Sequence, residues 1–450
     1  MTTAYWCETA WLDPDRGVAA AVSVDVEGGR FTGVTVGADP GGSATRLPGL
    51  VLPGLANCHS HAFHRALRGH TQAGRGTFWT WREQMYATAA RLDPDSYHRL
   101  ALATYTEMVL AGITSVGEFH YLHHGPDGVA YDDPNAMGHA LVAAAREAGV
   151  RITLLDTCYL AAGFGRPPEG VQLRFSDGDA ARWADRAEAL HQEYAGDSDV
   201  VVAAAIHSVR AVPDHQLATV AQWASAHEVP LHVHLSEQPA ENADCLEAHG
   251  QTPTELLEAH GVLGPRTSAV HATHLTGSDV HALGTSRTYA CFCPTTERDL
   301  ADGVGPARAL TAAGAPLTLG SDSHAVIDPF EEMRAVELDE RLTSRHRGTW
   351  SAEELLVAGG PTGQSSLGWT DGGRIEVGAR ADLVAVRTDS PRTAGTGGEV
   401  ATAVFAASGC DVADVVVDGR HVVAASTHAS VGDVGVRLRD AVAAVRSDET

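Results

Sequence analysis

The sequence is poor in the features that mark disulfide-rich, zinc-ribbon and membrane proteins. Its 450 residues include only seven cysteines, which are scattered and form no CxxC pair. This argues against a disulfide framework and against a structural zinc ribbon. No apolar run is long enough to span a bilayer, and the first residues show no basic segment followed by an apolar one. We therefore expect a soluble protein of a reducing cytoplasm, with no membrane partner.

Positive charge is also scarce. The chain has 32 basic and 57 acidic residues, which gives a formal net charge of −25. Such a surface repels phosphate, and this argues against nucleic acid and anionic membranes as partners. The same charge repels acidic small molecules, so an acidic substrate would have to be captured locally by specific arginines.

The two ends of the chain resemble each other and differ from the middle. Residues 1–52 and 373–450 contain short runs that alternate apolar and polar residues, such as AAAVSVDVEGG and DVADVVVDGRHVV. This alternation is typical of half-exposed antiparallel strands. We therefore predict that the two ends fold together into one small β-sandwich domain.

The middle of the chain, residues 53–372, alternates apolar runs with long segments that have apolar residues at helical spacing. Strands that are apolar on both faces and separated by helices indicate an α/β fold with a parallel sheet. Eight such units predict a (β/α)₈ barrel of the TIM type. The runs are VLPGLANCH, ITSVGEFH, VRITLLDT, VVVAAAIH, VPLHVHLS, RTSAVHATH, TYACFCP and PLTLGSD.

Histidines and carboxylates recur at the carboxyl ends of these runs, where a barrel of this kind places its active site. His59 and His61 close the first run, and residues i and i+2 of a strand point to one face. Two imidazoles on the inner face can bind one metal, and His234 and Asp322 would complete an N₃O set. Such a set suits one Zn²⁺ per chain, with Fe²⁺ as the alternative, and leaves a position open for water.

These motifs resemble the amidohydrolase superfamily of metal-dependent deaminases and hydrolases over nearly the whole chain. The resemblance rests on HSH after run one, HVHLSE at run five, VHATH at run six, GSDS at run eight and GRIEVGARADLVAV in the tail. No lysine ends run four, where binuclear members typically carry a carbamylated lysine, and this favours a single metal. HLSE is similar to the HxxE motif of the branch that expels ammonia from a C=N centre.

Within that branch the sequence resembles the formimidoylglutamate deiminases. The specific stretches are FWTWRE and GEFHYLHH, and HSHAFHRALRG, IHSVRAVP and HLSEQPAE agree with them. The resemblance implies hydrolysis of N-formimino-L-glutamate to N-formyl-L-glutamate and ammonia, in histidine degradation. One position departs from the family pattern, since a glutamine is expected where this chain has His64.

The resemblance also implies three catalytic roles. Asp322 would ligate the metal and accept a proton from the attacking water. His271 would orient that water and stabilise charge on the tetrahedral intermediate. Glu237 would move a proton onto the leaving nitrogen, and general acid catalysis of this kind contributes about 10²–10⁴-fold.

A small anionic substrate would be held by side chains around the metal. Arg82 and Arg210 are the candidates for its two carboxylates, because guanidinium binds carboxylate bidentately. Tyr121, His207 and His64 would complete the pocket. A homodimer is the expected assembly.

Three other functions remain open at this level. A related deaminase could act on a nucleobase or guanidino compound, although an uncharged nucleobase has little use for two arginines. A formiminoglutamate hydrolase would release formamide instead of ammonia. A barrel without catalysis would serve as a binding or regulatory protein, although the intact metal set and Glu237 speak against it. The histidines of HYLHH are equally compatible with a structural hydrogen-bond network.

Overall fold

A computed structural model describes residues 3–446 of the chain, except the side chains of Phe78 and Trp79. The strands alternate with helices only in the middle of the chain. In chain order they are β1 (Thr3–Trp11), β2 (Val18–Glu27), β3 (Arg30–Val36), β4 (Thr45–Pro53), β5 (Leu55–Ser60), β6 (Ile113–His120), β7 (Arg151–Cys158), β8 (Val200–Ile206), β9 (Leu231–Leu235), β10 (Thr267–His271), β11 (Tyr289–Phe292), β12 (Leu317–Leu319), β13 (Leu383–Val386), β14 (Val412–Val417), β15 (Arg420–Ala424) and β16 (Thr427–His428).

Several α-helices begin at a residue whose side chain caps the first turn. The first helix of the barrel repeat, for example, is preceded by Asp93, whose carboxylate accepts from the Ser96 N–H at 2.7 Å, as N-caps commonly do. The helices are α1 (Phe78–Arg91), α2 (Pro94–Leu110), α3 (Ala136–Ala148), α4 (Ala180–Glu193), α5 (Asp214–Ala226), α6 (Pro239–His249), α7 (Pro253–Ala259), α8 (Gly277–Ser286), α9 (Pro294–Asp299), α10 (Ala307–Ala313), α11 (Pro329–Ser344), α12 (Ala352–Val357), α13 (Gly363–Ser366), α14 (Val400–Phe405) and α15 (Val434–Arg446).

The eight strands β5 to β12 form one parallel sheet in sequential order. The sheet closes on itself because Ser60 bridges Asp322 in parallel, and the N–H groups of Ser321 and Asp322 donate to the His59 carbonyl at 3.1 and 2.9 Å. Almost every residue of these strands is buried, as expected for strands covered on both faces. The predicted (β/α)₈ barrel is therefore confirmed, with all eight runs as its strands.

The strands from the two chain ends form a second sheet, in the order β16-β15-β14-β13-β4-β1-β2-β3. This confirms a small β domain built from both ends, in one continuous sheet with only the β1–β4 pair parallel. One face has its own core, which includes Tyr5, Val24 and Phe31. The other face joins the barrel core through Leu50 and Leu52.

The predicted domain division at 52/53 and 372/373 stays a prediction. Helix α15 belongs to the second of the two terminal segments, yet it packs against α2 of the barrel. Its Ala441 and Val445 are buried there. Among the helices of residues 3–446, none combines the length and the apolarity needed to cross a membrane.

Candidate functional site

The candidate site lies at the carboxyl ends of the barrel strands, where the backbone is locally strained. Ser236, His271, Asp322 and His324 have φ angles of 51°, 69°, 41° and 58°. Non-glycine residues in this left-handed region cost about 1–3 kcal/mol each, and they persist where the surrounding structure holds them. In a regular strand, successive side chains point to opposite faces. A residue in the left-handed region interrupts this alternation, so the side chains at these strand ends need not alternate between the two faces.

Four histidines converge on the carboxylate of Asp322. The His59 Nε2 lies 3.1 Å from the His234 Nε2 and 3.3 Å from the Asp322 Oδ1. The His61 Nε2 lies 3.2 Å from the same oxygen, and the His271 Nε2 lies 3.9 Å from the Asp322 Oδ2. All five side chains are buried. We call this group the axial cluster.

In two histidines of the axial cluster the ring proton is on Nδ1, which leaves the Nε2 lone pair facing the centre of the cluster. The His61 Nδ1 donates to the Phe119 carbonyl at 2.9 Å, and the His234 Nδ1 donates to the His207 carbonyl at 2.8 Å. Each Nε2 of a neutral ring is then an unprotonated acceptor, and outer hydrogen bonds of this type orient metal-ligating histidines. The donor set therefore fits a divalent metal of the zinc type.

The charge states of the axial cluster agree with this fit. Burial lowers the pKa of His59 to about 4 and holds the pKa of His234 well below its usual value. Both rings are therefore neutral near pH 7. Burial alone would raise the pKa of Asp322, but the adjacent rings of His59 and His61 hold it well below its usual value. Two neutral imidazoles thus meet a carboxylate, as a metal ligand set requires.

His271 differs from the other rings of the axial cluster. Its Nδ1 lies 3.3 Å from the Glu297 Oε1, and its Nε2 lies 4.0 Å from the Glu237 Oε1. Burial would lower the pKa of His271, but Glu297 and Glu237 raise it well above its usual value. A ring nitrogen of His271 is also close enough to the ligand atoms of His59, His234 and Asp322 to share one ion with them, so the orienting role stays a prediction.

The chain contains no lysine at any position. A carbamylated lysine therefore cannot bridge two metals, and every side-chain cation other than histidine is an arginine. The lack of a lysine at the end of run four already favoured a single metal, and the lack of lysine in the whole chain is consistent with the same conclusion.

A cavity opens above the axial cluster. Of the residues predicted for the site, only His59 lies outside its lining, because it is completely buried beneath it. The others all line the cavity: His61, His64, Arg82, Tyr121, His207, Arg210, His234, Glu237, His271 and Asp322.

The cationic wall of the cavity is formed by two arginines. The Arg210 Nε donates to the Glu241 Oε2 at 3.2 Å, and its Nη2 lies 3.9 Å from the Glu237 Oε2. Burial would lower the pKa of Arg210, but Glu241 and Glu237 raise it. The Arg82 guanidinium lies over the Tyr86 ring, 5.6 Å from its centre. Arg210 thus has a fixed position and a permanent charge.

His64, Tyr121 and His207 also line the cavity. The His64 Nε2 and the Tyr121 hydroxyl are hydrogen-bonded at 2.9 Å, and the His64 ring centre lies 4.5 Å from that of His61. Burial and the Arg210 charge hold the pKa of His207 well below its usual value. His207 is therefore neutral at pH 7 and adds no charge to the cavity.

Sequence reasoning missed several residues of the cavity wall. Tyr86 comes from α1, Tyr159 follows β7, and Phe175 ends a short 3₁₀ helix at residues 170–175. Gln172 of the same 3₁₀ helix lies behind the two tyrosines. No local signal marked these residues, because they come from segments whose approach to the barrel mouth depends on the tertiary fold.

A second buried group of histidines and aspartates lies beside the barrel, and we call it the peripheral cluster. It comprises His120, His123, His124, Asp156, Asp177 and Arg186. Ligand atoms of His120, His123 and Asp156 are close enough to share one ion. However, the Arg186 guanidinium already binds both Asp156 oxygens, at 2.7 and 2.9 Å. This geometry favours the structural-network interpretation of HYLHH.

The comparisons with known proteins agree on one family. A model of the amidohydrolase family matches residues 50–422. The chain is similar to a formimidoylglutamate deiminase of Pseudomonas aeruginosa, with 38% identity over 402 residues, 86% of this chain and 87% of the relative. It is 29% identical over 420 residues to a 5-methylthioadenosine/S-adenosylhomocysteine deaminase of Halobacterium salinarum, covering 91% of this chain and 90% of that one. A crystal structure of an amidohydrolase from Brucella melitensis superposes with a TM-score of 0.91 at 32% identity, covering 98% of this chain and 99% of that chain.

Proposed function

This chain belongs to the amidohydrolase family, and from that premise we propose that it hydrolyses N-formimino-L-glutamate to N-formyl-L-glutamate and ammonia. The observation that carries the proposal is one cavity with two different walls. One wall is the axial cluster, in which ligand atoms of His59, His234, His271 and Asp322 lie close enough to share one ion. The other wall presents Arg82 and Arg210, which suit the two carboxylates of the substrate.

We assign His59, His61, His234 and Asp322 as the ligands of one divalent metal per chain, with Zn²⁺ preferred over Fe²⁺. A bound divalent metal lowers the pKa of water to about 7 and so supplies a nucleophile at neutral pH. The assignment is supported by the carbonyl partners of His61 and His234, which fix the Nε2 lone pairs. His271 stays outside the ligand set because its neighbours favour the protonated ring.

Three side chains would accept, donate or relay protons during the reaction. The Asp322 carboxylate accepts a proton from the water that attacks the formimino carbon. The His271 Nε2–H donates to the oxygen as negative charge develops on it. The Glu237 carboxylate relays protons to the terminal nitrogen. This nitrogen receives both protons of the attacking water, the first by way of Asp322, and leaves as ammonia, because an amide ion is a very poor leaving group.

Substrate orientation is assigned to the opposite wall. Arg82 and Arg210 each bind one carboxylate, and the Tyr121 hydroxyl adds a donor. His207 and His64 face the formimino end, and His64 takes the place in which the family pattern has glutamine. The local arginines offset the repulsion that a net charge of −25 imposes on a dianion.

We further propose a cytoplasmic homodimer with a barrel domain at 53–372 and a β domain formed by 1–52 and 373–450. Light scattering of the purified protein tests the dimer. Denaturant unfolding tests the division, since two domains that fold separately would unfold in separate transitions.

The test of the proposed reaction is product analysis. Purified, zinc-loaded protein is incubated with N-formimino-L-glutamate, and ammonia and formamide are both quantified. Ammonia together with N-formyl-L-glutamate supports the proposal, whereas formamide would assign the protein to the hydrolases that break the other C–N bond. Adenosine and 5-methylthioadenosine serve as comparison substrates, and turnover of either one in the absence of formiminoglutamate turnover would overturn the proposal.

A further inference from the structure

Gln172 joins two tyrosines that line the cavity but have no role in the reaction described above. Its Nε2 donates to the Tyr86 hydroxyl at 3.1 Å and to the Tyr159 hydroxyl at 2.9 Å. Gln172 itself is only 6% exposed. The amide therefore spans from α1 to the segment after β7 and connects two sides of the cavity wall.

The orientation of the Gln172 amide is determined by the backbone. Its Oε1 accepts from the Glu169 N–H at 3.2 Å, and the Gln172 N–H donates back to the Glu169 carbonyl at 3.1 Å. A flipped amide would point its NH₂ at the Glu169 N–H, donor against donor. Both Nε2 hydrogens are thus committed to the two phenol oxygens.

This commitment constrains the tyrosine protons. A phenol oxygen that accepts from Gln172 must send its own proton elsewhere. Tyr86 and Tyr159 are neighbours, so one hydroxyl can donate to the other. The hydroxyl that accepts this bond must then donate its own proton to a group outside the pair. Burial raises the pKa of Tyr159, which keeps its hydroxyl protonated. At least one O–H is therefore left to point into the cavity.

We propose that Gln172 is a positioning residue that makes at least one hydroxyl of the Tyr86–Tyr159 pair a donor for a substrate carboxylate. The inference rests on the proposed function, because it needs an anionic substrate. The surroundings support it: Arg82 lies over the Tyr86 ring, Arg210 lies in the same cavity, and Phe175 packs against both tyrosine rings, with centres 6.1 and 5.3 Å away. The tyrosines thus add directed donors beside the guanidinium charges.

The test inverts the polarity of the amide without changing its size. In Gln172→Glu, assayed about four units above the ordinary pKa of glutamate, the side chain only accepts, so both tyrosines must donate to it. We expect KM for N-formimino-L-glutamate to rise about 10–100-fold, as for a lost charge-assisted hydrogen bond, with kcat nearly unchanged. Gln172→Met, which is neutral and of similar length, should raise KM less.

A mutant cycle combines Gln172→Glu with the double variant Tyr86→Phe/Tyr159→Phe. It separates the effect of hydroxyl direction on KM from the effect of the added negative charge. If Gln172 acts through the hydroxyls, Gln172→Glu has little further effect on KM in the double-Phe background. An equal rise of KM in both backgrounds, or no rise in either, overturns the inference. Metal content and the melting temperature of each variant show whether it is folded, and the double-Phe variant provides the test if Gln172→Glu is not.

Glutarate binding distinguishes this inference from the proposed reaction. Glutarate has two carboxylates and no formimino group, so its Kd, measured by calorimetry, reports on the cavity wall alone. A wild-type protein that binds glutarate but does not turn over formiminoglutamate contradicts the proposed function, while weaker glutarate binding by Gln172→Glu still supports the inference. A wild-type protein that neither binds glutarate nor turns over formiminoglutamate overturns both.

Discussion

The axial and peripheral clusters both contain buried histidines and aspartates and lie at the same end of the barrel. They differ in whether the aspartate is already paired with a positively charged arginine. In the axial cluster the Asp322 carboxylate meets only imidazoles. In the peripheral cluster Asp156 is bound by Arg186 through both oxygens and by the Trp183 N–H at 2.8 Å. The first carboxylate has capacity for a cation, whereas the second is already neutralised.

This difference shows that a set of buried histidines and aspartates does not by itself make a metal site. A cation placed 4 Å from the Arg186 guanidinium would be repelled by about 4 kcal/mol per unit of charge at an effective dielectric constant of 20. The axial cluster holds no guanidinium, and Glu297 and Glu237 offset any charge on its His271 ring. The presence or absence of a guanidinium therefore decides between a structural network and a site that can bind a metal.

The largest effect is expected when the aspartate of the axial cluster, Asp322, is replaced by asparagine, and Asp156 of the peripheral cluster provides the matched control. Asp322→Asn should lower kcat by at least about 10⁴-fold, because it removes a general base as well as a proposed ligand, and bound metal should fall with it. Asp156→Asn should keep both metal content and kcat near wild type and lower the melting temperature. Elemental analysis, steady-state kinetics and calorimetry measure the three quantities. Loss of metal in Asp156→Asn would contradict the comparison.

Glu237→Gln separates proton transfer from metal binding within the axial site. We expect kcat to fall about 10²–10⁴-fold, since the amide cannot deliver a proton to the leaving nitrogen. Metal content should stay at the wild-type value, because Glu237 lies 4.0 Å from His271 and is not among the proposed ligands. A variant that loses both metal and activity would place Glu237 in the ligand set instead.

Arg186→Met removes the internal cation of the peripheral cluster. We expect the free energy of unfolding to fall by about 3–5 kcal/mol, as when one partner of a buried ion pair is deleted, with metal-dependent activity retained in the folded fraction. Denaturant titration measures the loss. Both proteins are first loaded with Zn²⁺ at the axial cluster. Further Zn²⁺ should then stabilise Arg186→Met and not the wild type, and equal stabilisation of both proteins would argue against the role given to Arg186.

The smallest expected effect is a pH dependence that belongs to the peripheral cluster. Burial and the Arg186 charge lower the pKa of His123 to about 4. The folded state therefore binds fewer protons than the unfolded state, whose histidines titrate near 6.5, and stability falls as pH drops from about 6.5 towards 4. His123→Gln should reduce this loss by about 1–3 kcal/mol. Unfolding free energies at pH 7 and pH 5 give the slope, and an unchanged slope would contradict the prediction.

The barrel was predictable because its strands are apolar on both faces and its helices are amphipathic, so each unit carries its own pattern. The ends of those strands were predictable for the same reason. His59, His61, His234 and Asp322 terminate recognisable runs, and parallel strands bring their carboxyl ends together. The family resemblance added catalytic roles to positions that the pattern had already singled out, and those roles stay predictions until they are measured.

Several parts of the site left no pattern in the chain. Tyr86, Tyr159 and Gln172 lie in different segments, and their hydrogen bonds join residues up to 86 positions apart. The pairing of Arg186 with Asp156 is similarly remote, at 30 positions. Neither periodicity nor motif spacing encodes such contacts, because they depend on how helices and loops pack around the barrel mouth.

The sequence by itself determined the barrel, the small β domain from both chain ends, and the histidines and carboxylates available at the strand ends. Periodicity encodes these features locally, since burial on one or both faces selects the residues of each element. Only the tertiary structure decided which histidine–aspartate cluster is neutralised internally and which one faces a cavity. It also decided that Gln172 donates to the hydroxyls of Tyr86 and Tyr159. Charge pairing and hydrogen-bond direction depend on distances between remote segments, and those distances exist only in the folded chain.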